Sequence, residues 1–362
     1  MKISLNSIKL FVNFTFSRYF TCIFIGEQAL LPADSVGGKE MQEEKARTLR
    51  VAAVQVESQN GMIEANLKHA LSFVEEAAKK GAKLIVLPEF LPTGYIFTKA
   101  IWDAGEPKEG PTVKWLKENS KRLAIHLGTS FLEADGEDFF NTFVITTPEG
   151  KEAGRVRKQT PASFEAYFTK GDVGPHIIVT EFGKIGVGIC YENQLAYMPR
   201  LMNRESPDIY LMPHSAPTPA KSVFFPAMAV KLWNEMLKNL THWYSTALGT
   251  PSVMINKCGE WHTTLPGLPF LTQHSSFPGL SAISDSDGKL KAQLGGEEGV
   301  IVEDVLLDPT KKTNIVPPCY GRWAIKSHWA INSFRLIEFI GSSWYSMSSD
   351  RKAIARKISS GV

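Results

Sequence analysis

The chain has 362 residues, 43% hydrophobic and 21% charged, the balance of a folded globular protein and enough for one large domain or two ordinary ones. Its net charge of +3 is unevenly placed: from Pro309 onward nine Lys or Arg face two acids. The rest is therefore slightly acidic, which disfavours nucleic acid, since that partner needs basic patches across the binding face.

Four cysteines, Cys22, Cys190, Cys258 and Cys319, stand far apart with no CxxC pair. That pattern supports neither a paired-cysteine zinc site nor a dense disulfide framework, and it suits a reducing, cytoplasmic setting. The N-terminal region differs from the remainder. Residues 8–26 are apolar and aromatic, but Lys9 and Arg18 interrupt them, leaving runs far short of the roughly 20 residues that cross a bilayer. Lys2, Lys9 and Arg18 precede the first acid, Glu27, so a targeting segment is one expectation. The other is a start at Met41, whose segment MQEEKARTLRVAAVQVE leads straight into the first strand. Residues 1–49 are set apart as an extension, 50–308 as the principal domain and 309–362 as a basic, partly hydrophobic tail.

Within the principal domain, residues 50–57 alternate as a strand does. Residues 63–80 carry apolar side chains at helical spacing and stop at Gly81. Residues 83–88 (KLIVLP) form the continuous apolar run of a strand buried on both faces. A helix over 111–123 and a strand over 124–131 follow, then strands 140–147 and 151–158 around Pro148-Glu149-Gly150. Residues 177–180 and 184–190 form another strand pair. A helix over 193–203, a strand over 208–212, a long helix over 223–248 with Pro226 in its first turn and a strand over 251–256 come next. Residues 281–284 and 289–293 flank a turn with Gly288 where positive φ is needed. Segments 91–99, 215–223 and 258–273 read as loops that shape a pocket. Residues 320–340, rich in Trp, Ile and Phe, suit an arm packing on a sister subunit, with a membrane-surface segment as the alternative. Hairpins mixed with strand–helix units indicate an α/β domain, with a four-layer αββα sandwich compatible with the pattern.

Three predicted strands end in reactive side chains: Glu89, Lys158 and Cys190. Each has an ordinary reading alone. The cysteine is a small packing residue, the glutamate an acceptor of loop N–H groups, the lysine a solvated charge. Together they are what an amide-bond hydrolase without metal or catalytic histidine requires: a thiol to attack, a carboxylate to move protons and a cation to stabilise the oxyanion. A lysine beside the thiol is also expected to lower its pKa. None of the eight histidines forms a local signature with Cys190, which sets a cysteine–histidine peptidase aside. No GxxxxGK[ST] motif provides the nucleotide site of an amide-transfer synthetase.

At these residues the chain resembles the nitrilase superfamily, the carbon–nitrogen hydrolases. RVAAVQVE, LIVLPEF, RKQTPASFEAYFTKGD, GKIGVGICYEN, MINKCG and FPGLSAISDSDGKL occur in the family's order, the last fitting its usual final strand pair. The resemblance implies the αββα sandwich, assembly into homo-oligomers, and a small amide or nitrile substrate hydrolysed without metal or organic cofactor. It implies that Cys190 attacks, that Glu89 moves the proton, and that Lys158 and the backbone N–H of Tyr191 hold the oxyanion of a route through a thioester. Glu165, seven residues after Lys158, matches the family's second glutamate; its other reading is a loop carboxylate paired to Lys170. Nitrile-cleaving members usually have Trp after the cysteine, where this chain has Tyr191, and an arginine after the second glutamate, where it has Ala166. Amides and N-carbamoyl compounds therefore stand beside nitriles as substrates. Glu192 is read as orienting the turn of Cys190 or as an exposed loop acid. His214 is read as bordering the pocket or as satisfied by backbone. The rival to the whole reading keeps the fold without the chemistry, as a catalytically inactive binding or assembly protein.

Overall fold

The computed structural model describes residues 45–222, 225–266 and 268–361; the expectations for residues 1–44, a targeting segment or a start at Met41, lie outside them. The elements in chain order are β1 (Arg47–Gln55), α1 (Ile63–Lys79), β2 (Leu84–Val86), β3 (Glu106–Pro107), α2 (Pro111–Leu123), β4 (His126–Asp135), β5 (Asp138–Thr146) and β6 (Glu152–Arg157). Then follow β7 (Ile177–Thr180), β8 (Gly183–Val187), α3 (Tyr197–Glu205), β9 (Ile209–Pro213), α4 (Ala227–Leu248), β10 (Ser252–Ile255), β11 (Cys258–Leu265) and β12 (Leu268–Pro278). The last are β13 (Ala282–Ser284), β14 (Leu290–Gln293), β15 (Gly299–Leu307), α5 (Asn332–Met347) and α6 (Ser349–Ser359).

One sheet runs β15-β1-β2-β4-β5-β6, with β3 added on β4; a second runs β14-β13-β10-β9-β8-β7; β11 and β12 form a separate hairpin. The central pairs β1–β2–β4 and β8–β9–β10 are parallel, and antiparallel strands complete each side. Strand alternation assigns the layers. Leu49, Val51 and Ala53 of β1 enter the core shared with Ile185, Val187, Leu211 and Val253 of the second sheet. Ala52 and Val54 point the other way, into a core with Ala70 and Val74 of α1 and Leu116 of α2. Trp233, Leu237 and Tyr244 of α4 and Met198 and Met202 of α3 cover the outer face of the second sheet. The result is the α–β–β–α sandwich. Each fully buried Val or Leu contributes roughly 1.5–3 kcal/mol to it.

Several segments differ from the sequence reading. Segment 258–273 is largely strand, since β11 and β12 pair from Cys258–Pro278 outward. The 281–293 hairpin is not the last strand pair, because β15 follows it and zips along the whole of β1. The helix expected over 193–203 is interrupted: Cys190–Gln194 is a 3₁₀ turn, Leu195 is extended, and α3 starts at Tyr197. Pro226 sits before α4 as its extended N-cap, not inside it.

The tail also departs from an arm reserved for another subunit, because one side of it packs on its own domain. Leu195 bridges Trp323, Ala324 N–H donates to Gln194 O (2.8 Å) and Ala196 N–H to Arg322 O (2.8 Å). α5 lies on the turn Ser163–Tyr167, so closely at Gly341 that an added Cβ would be 2.7 Å from Tyr167 Cδ2. α6 contributes Ala355 to a cluster with Trp102, Leu132 and Phe139. Arg351 pairs with Asp138, and Phe139 N–H donates to Tyr345 Oη (2.9 Å). Leu336, Phe339 and Ile340 stay exposed. Among the described residues no helix is long and apolar enough to cross a membrane.

Candidate active site

The first sheet delivers three side chains to one point between the layers. Glu89 follows β2 by three residues, at a sharp bend whose next residue, Phe90, has φ 47°. Phe90 is pinned on both sides: its N–H donates to Ser130 Oγ (2.8 Å) and its carbonyl accepts from the buried Lys257 Nζ (2.8 Å). Lys158 is the residue after β6, and its N–H still donates to Asn141 O of β5 (2.9 Å), so the ladder holds its backbone. Glu165 lies in the turn Ser163–Tyr167 and accepts from Ala162 N–H (3.1 Å).

These groups form a closed network. Lys158 Nζ donates to Glu89 Oε1 (2.7 Å) and Glu165 Oε2 (2.6 Å). Asn141 Nδ2 donates to Glu89 Oε1 (2.7 Å) and Glu165 Oε1 (3.0 Å). Ser215 N–H, after β9, donates to Glu89 Oε2 (2.6 Å). Glu89, Lys158 and Glu165 are at most 1% exposed. Lys170, the other partner considered for Glu165, pairs with Asp138 instead.

The second sheet supplies Cys190. After β8 the chain bends so that Cys190 takes φ 54° and opens the 3₁₀ turn Cys190–Gln194. A non-glycine residue there is strained and is held by its surroundings. Asn193 Nδ2 donates to Gly188 O (2.7 Å) and Cys190 O (3.0 Å), and Tyr210 Oη donates to Asn193 Oδ1 (2.5 Å). Glu192 is fully buried rather than an exposed loop acid. It accepts from Ile189 N–H (2.9 Å), Gln159 N–H (2.7 Å) and Tyr197 Oη (2.7 Å), and lies 3.3 Å from His176 Nε2. It thus ties the cysteine turn to the residue beside Lys158. Tyr191 N–H lies in the first turn of this 3₁₀ element, where N–H groups have no partner within the turn.

Burial alone pushes Glu89 up, but the charge and hydrogen bond of Lys158 outweigh it, with the adjacent Cys190 thiol adding to the effect, and hold Glu89 below its usual range. Burial works against the Lys158 ammonium, yet Glu165 and Glu89 keep its pKa raised. Glu165 is raised by burial and by the negative charge of Glu89, against the pull of Lys158. Cys190 is raised well above an ordinary thiol, by burial first and then by Glu89, despite Lys158 and the Ser215 N–H. The lysine does lower the thiol, as expected, but burial and the Glu89 carboxylate outweigh it, so the resting sulfur is a thiol. His214 Nδ1 lies 2.9 Å from Met212 O, and burial lowers the ring to about 4, so it is neutral. It stands behind Glu89, whose N–H donates to its carbonyl (3.3 Å). Among the described residues no group of three His, Cys, Asp or Glu is placed to hold a metal.

Cys190 opens onto a cavity of about 110 Å³ walled by Tyr95, Phe97, Trp233, Trp261 and Phe334. Phe334 comes from α5, so the tail supplies part of the wall. The structure brings together Glu89, Lys158, Cys190 and Glu165, with Tyr191 beside the cysteine. Asn141, Ser215, His176 and Gln194 were not singled out in the sequence; a polar residue inside a Phe-rich strand is the one signal that points to Asn141.

A family model described as carbon-nitrogen hydrolase matches residues 50–314. The chain is 28% identical over 287 residues to N-carbamoylputrescine amidase of Solanum lycopersicum, covering 74% of this chain and 89% of that one. It is 32% identical over 187 residues to Nitrilase 3 of Arabidopsis thaliana, covering 46% of this chain and 54% of that protein, so the match spans about half the length of that relative. Among solved structures, a carbon-nitrogen hydrolase from Helicobacter pylori G27 superposes with a TM-score of 0.63 at 21% identity, covering 72% of this chain and 90% of that one. A Nesterenkonia amidase carrying acrylamide on its active-site cysteine gives 0.58 at 19% identity, covering 71% and 93%. At these identities the structures speak to the fold alone.

Proposed function

The chain belongs to the carbon–nitrogen hydrolase family, and from that premise we propose that it hydrolyses a small amide through a thioester on Cys190, releasing a carboxylic acid and ammonia or an amine. The observation that carries this reading is the Lys158 ammonium held between Glu89 and Glu165, with the Cys190 thiol beside Glu89 at an apolar cavity.

Glu89, kept ionised by Lys158, accepts the thiol proton as Cys190 sulfur bonds to the carbonyl carbon. Two of the three Lys158 Nζ protons are committed to carboxylates, leaving the third for the oxyanion. Tyr191 N–H is the second donor. Collapse of the tetrahedral adduct breaks the carbon–nitrogen bond, and the nitrogen leaves with the proton from Glu89. Glu89 then takes a proton from water, whose oxygen attacks the thioester, and returns it to the Cys190 sulfur. Asn141 and Glu165 position the Glu89–Lys158 pair throughout. Because the resting thiol is neutral and Glu89 is ionised, attack moves the negative charge from the carboxylate to the oxyanion, where Lys158 and the Tyr191 N–H stabilise it.

The test is ammonia release from a panel of small amides, N-carbamoyl compounds and nitriles, with intact mass, on the parent and on Cys190→Ala. Turnover by the parent alone, with an acyl adduct mapped to Cys190, is the expected result. Turnover of nitriles without amides would move the substrate class. Silence across the panel together with an inert Cys190 would support the inactive binding protein.

A further inference from the structure

We propose that Gln194 recognises the far end of the substrate, so that the site takes neutral molecules whose acyl part carries a group able both to donate and to accept a hydrogen bond. This rests on the thioester reading above and extends it to the class of substrate.

Gln194 lines the cavity onto which Cys190 opens. It is 2% exposed, and neither Nε2 nor Oε1 of its side chain has a hydrogen-bond partner in the protein. A buried amide left in that state is costly, and in a folded protein such a group calls for an explanation. Its backbone is fixed from both sides: it closes the 3₁₀ turn that begins at Cys190, and its carbonyl accepts from Ala324 of the tail (2.8 Å). The side chain therefore projects from a rigid base into an apolar chamber. Two other lining residues also present unpartnered polar atoms, Tyr191 Oη and Trp233 Nε1, but the indole can only donate, so Gln194 with its paired donor and acceptor is the group that sets the complementary chemistry.

A primary amide presents a donor and an acceptor side by side. The complementary ligand group is one that does the same, such as a carboxamide, a ureido group or a hydroxyl. Charge is excluded by the rest of the wall. Among the described lining residues there is no Asp, Glu, Lys, Arg or His, so an ammonium or carboxylate on the substrate would be buried without a counter-ion. The aromatic walls suit the apolar segment between the two polar ends.

The probes are matched amides that differ at the far end: succinamide, butanamide, succinamate and 4-aminobutanamide, with adipamide and hexanamide as the longer neutral pair. kcat and KM would be measured by ammonia release for the parent and for Gln194→Met, with Gln194→Glu as a second variant of nearly the same size. The parent should favour a diamide over its alkyl partner by roughly ten- to a hundredfold in kcat/KM, and the charged pair should be poorer. In Gln194→Met that preference should shrink to about threefold or less, with the change carried by KM. In Gln194→Glu it should turn toward 4-aminobutanamide. A preference that survives Gln194→Met, or a parent that favours succinamate or 4-aminobutanamide, would overturn the assignment. If no amide is turned over, the thioester reading fails separately, and recognition is read from protection of Cys190 against iodoacetamide. Protection by a diamide that is lost in Gln194→Met supports the assignment; equal protection by diamide and alkyl amide refutes it.

Discussion

Replacing Glu89 by glutamine keeps the side chain's size and removes its charge from a cluster in which Cys190 is its neighbour. Two effects of opposite sign follow. The thiol pKa is raised by burial and by the Glu89 carboxylate; the variant loses the second contribution while Lys158 remains. Two unit charges roughly 4 Å apart interact by about 4 kcal/mol at the effective dielectric of a protein site. Removing a repulsion of that size raises the thiolate population at pH 8 by roughly ten- to a thousandfold. Hydrolysis loses its proton carrier and falls by about 10²–10⁴-fold. The assay follows alkylation of Cys190 by iodoacetamide, mapped by peptide to separate it from Cys22, Cys258 and Cys319, alongside amide turnover. Alkylation should accelerate at least about tenfold, the conservative end of that range, while turnover collapses. Parallel loss of both would refute the reasoning, because the carboxylate would then be needed to form the thiolate at all. Unchanged alkylation would show that the thiol does not feel its charge.

Three further outcomes are expected. In Gly188→Ala the new Cβ overlaps Tyr210 Oη and Asn193 Oδ1, breaking the bond that braces the cysteine turn; urea unfolding should show a loss of about 3 kcal/mol or more, with turnover lost in parallel. Glu106, buried with its carboxylate accepting from Thr112 N–H (2.6 Å), is pushed up to about 7. A raised carboxyl favours the fold fully below its ordinary pKa and loses that contribution as pH rises through 7. Glu106→Gln should therefore cost most near pH 4 and least above pH 8, a difference of about 3 kcal/mol in unfolding free energy; a cost independent of pH would contradict this. Phe334→Ala opens the cavity wall from the tail side and should shift kcat/KM toward bulkier acyl groups by roughly tenfold, while iodoacetamide still reaches Cys190.

The strands that lead to Glu89 and Cys190 are legible because parallel strands buried on both faces are continuous apolar runs, as in LIVLP and IGVGIC. Their meeting is not legible: Glu89 and Lys158 come from one sheet and Cys190 from the other, and no spacing along the chain encodes how the sheets dock. Ser215 acts on Glu89 only through that docking, and Asn141 only through the order of strands within the first sheet. β11 escapes the eye because its exposed side carries Glu260 and His262 while its apolar content is slight. The tail is marked as different by its charge, but its resting place depends on two backbone hydrogen bonds beside Leu195 and on the close approach at Gly341, which composition does not reveal.

The division of the reactive groups between two sheets bears on how the protein matures. On the proposed mechanism, a chain in which only the first sheet has formed holds the carboxylate and the ammonium but no sulfur; one with only the second holds a sulfur and the Tyr191 N–H but neither the proton acceptor nor the lysine. During synthesis neither half can acylate itself on passing metabolites, and turnover appears only when the halves close on each other. Recovery of activity after denaturation is thus a direct clock for sheet docking, distinct from the earlier return of secondary structure.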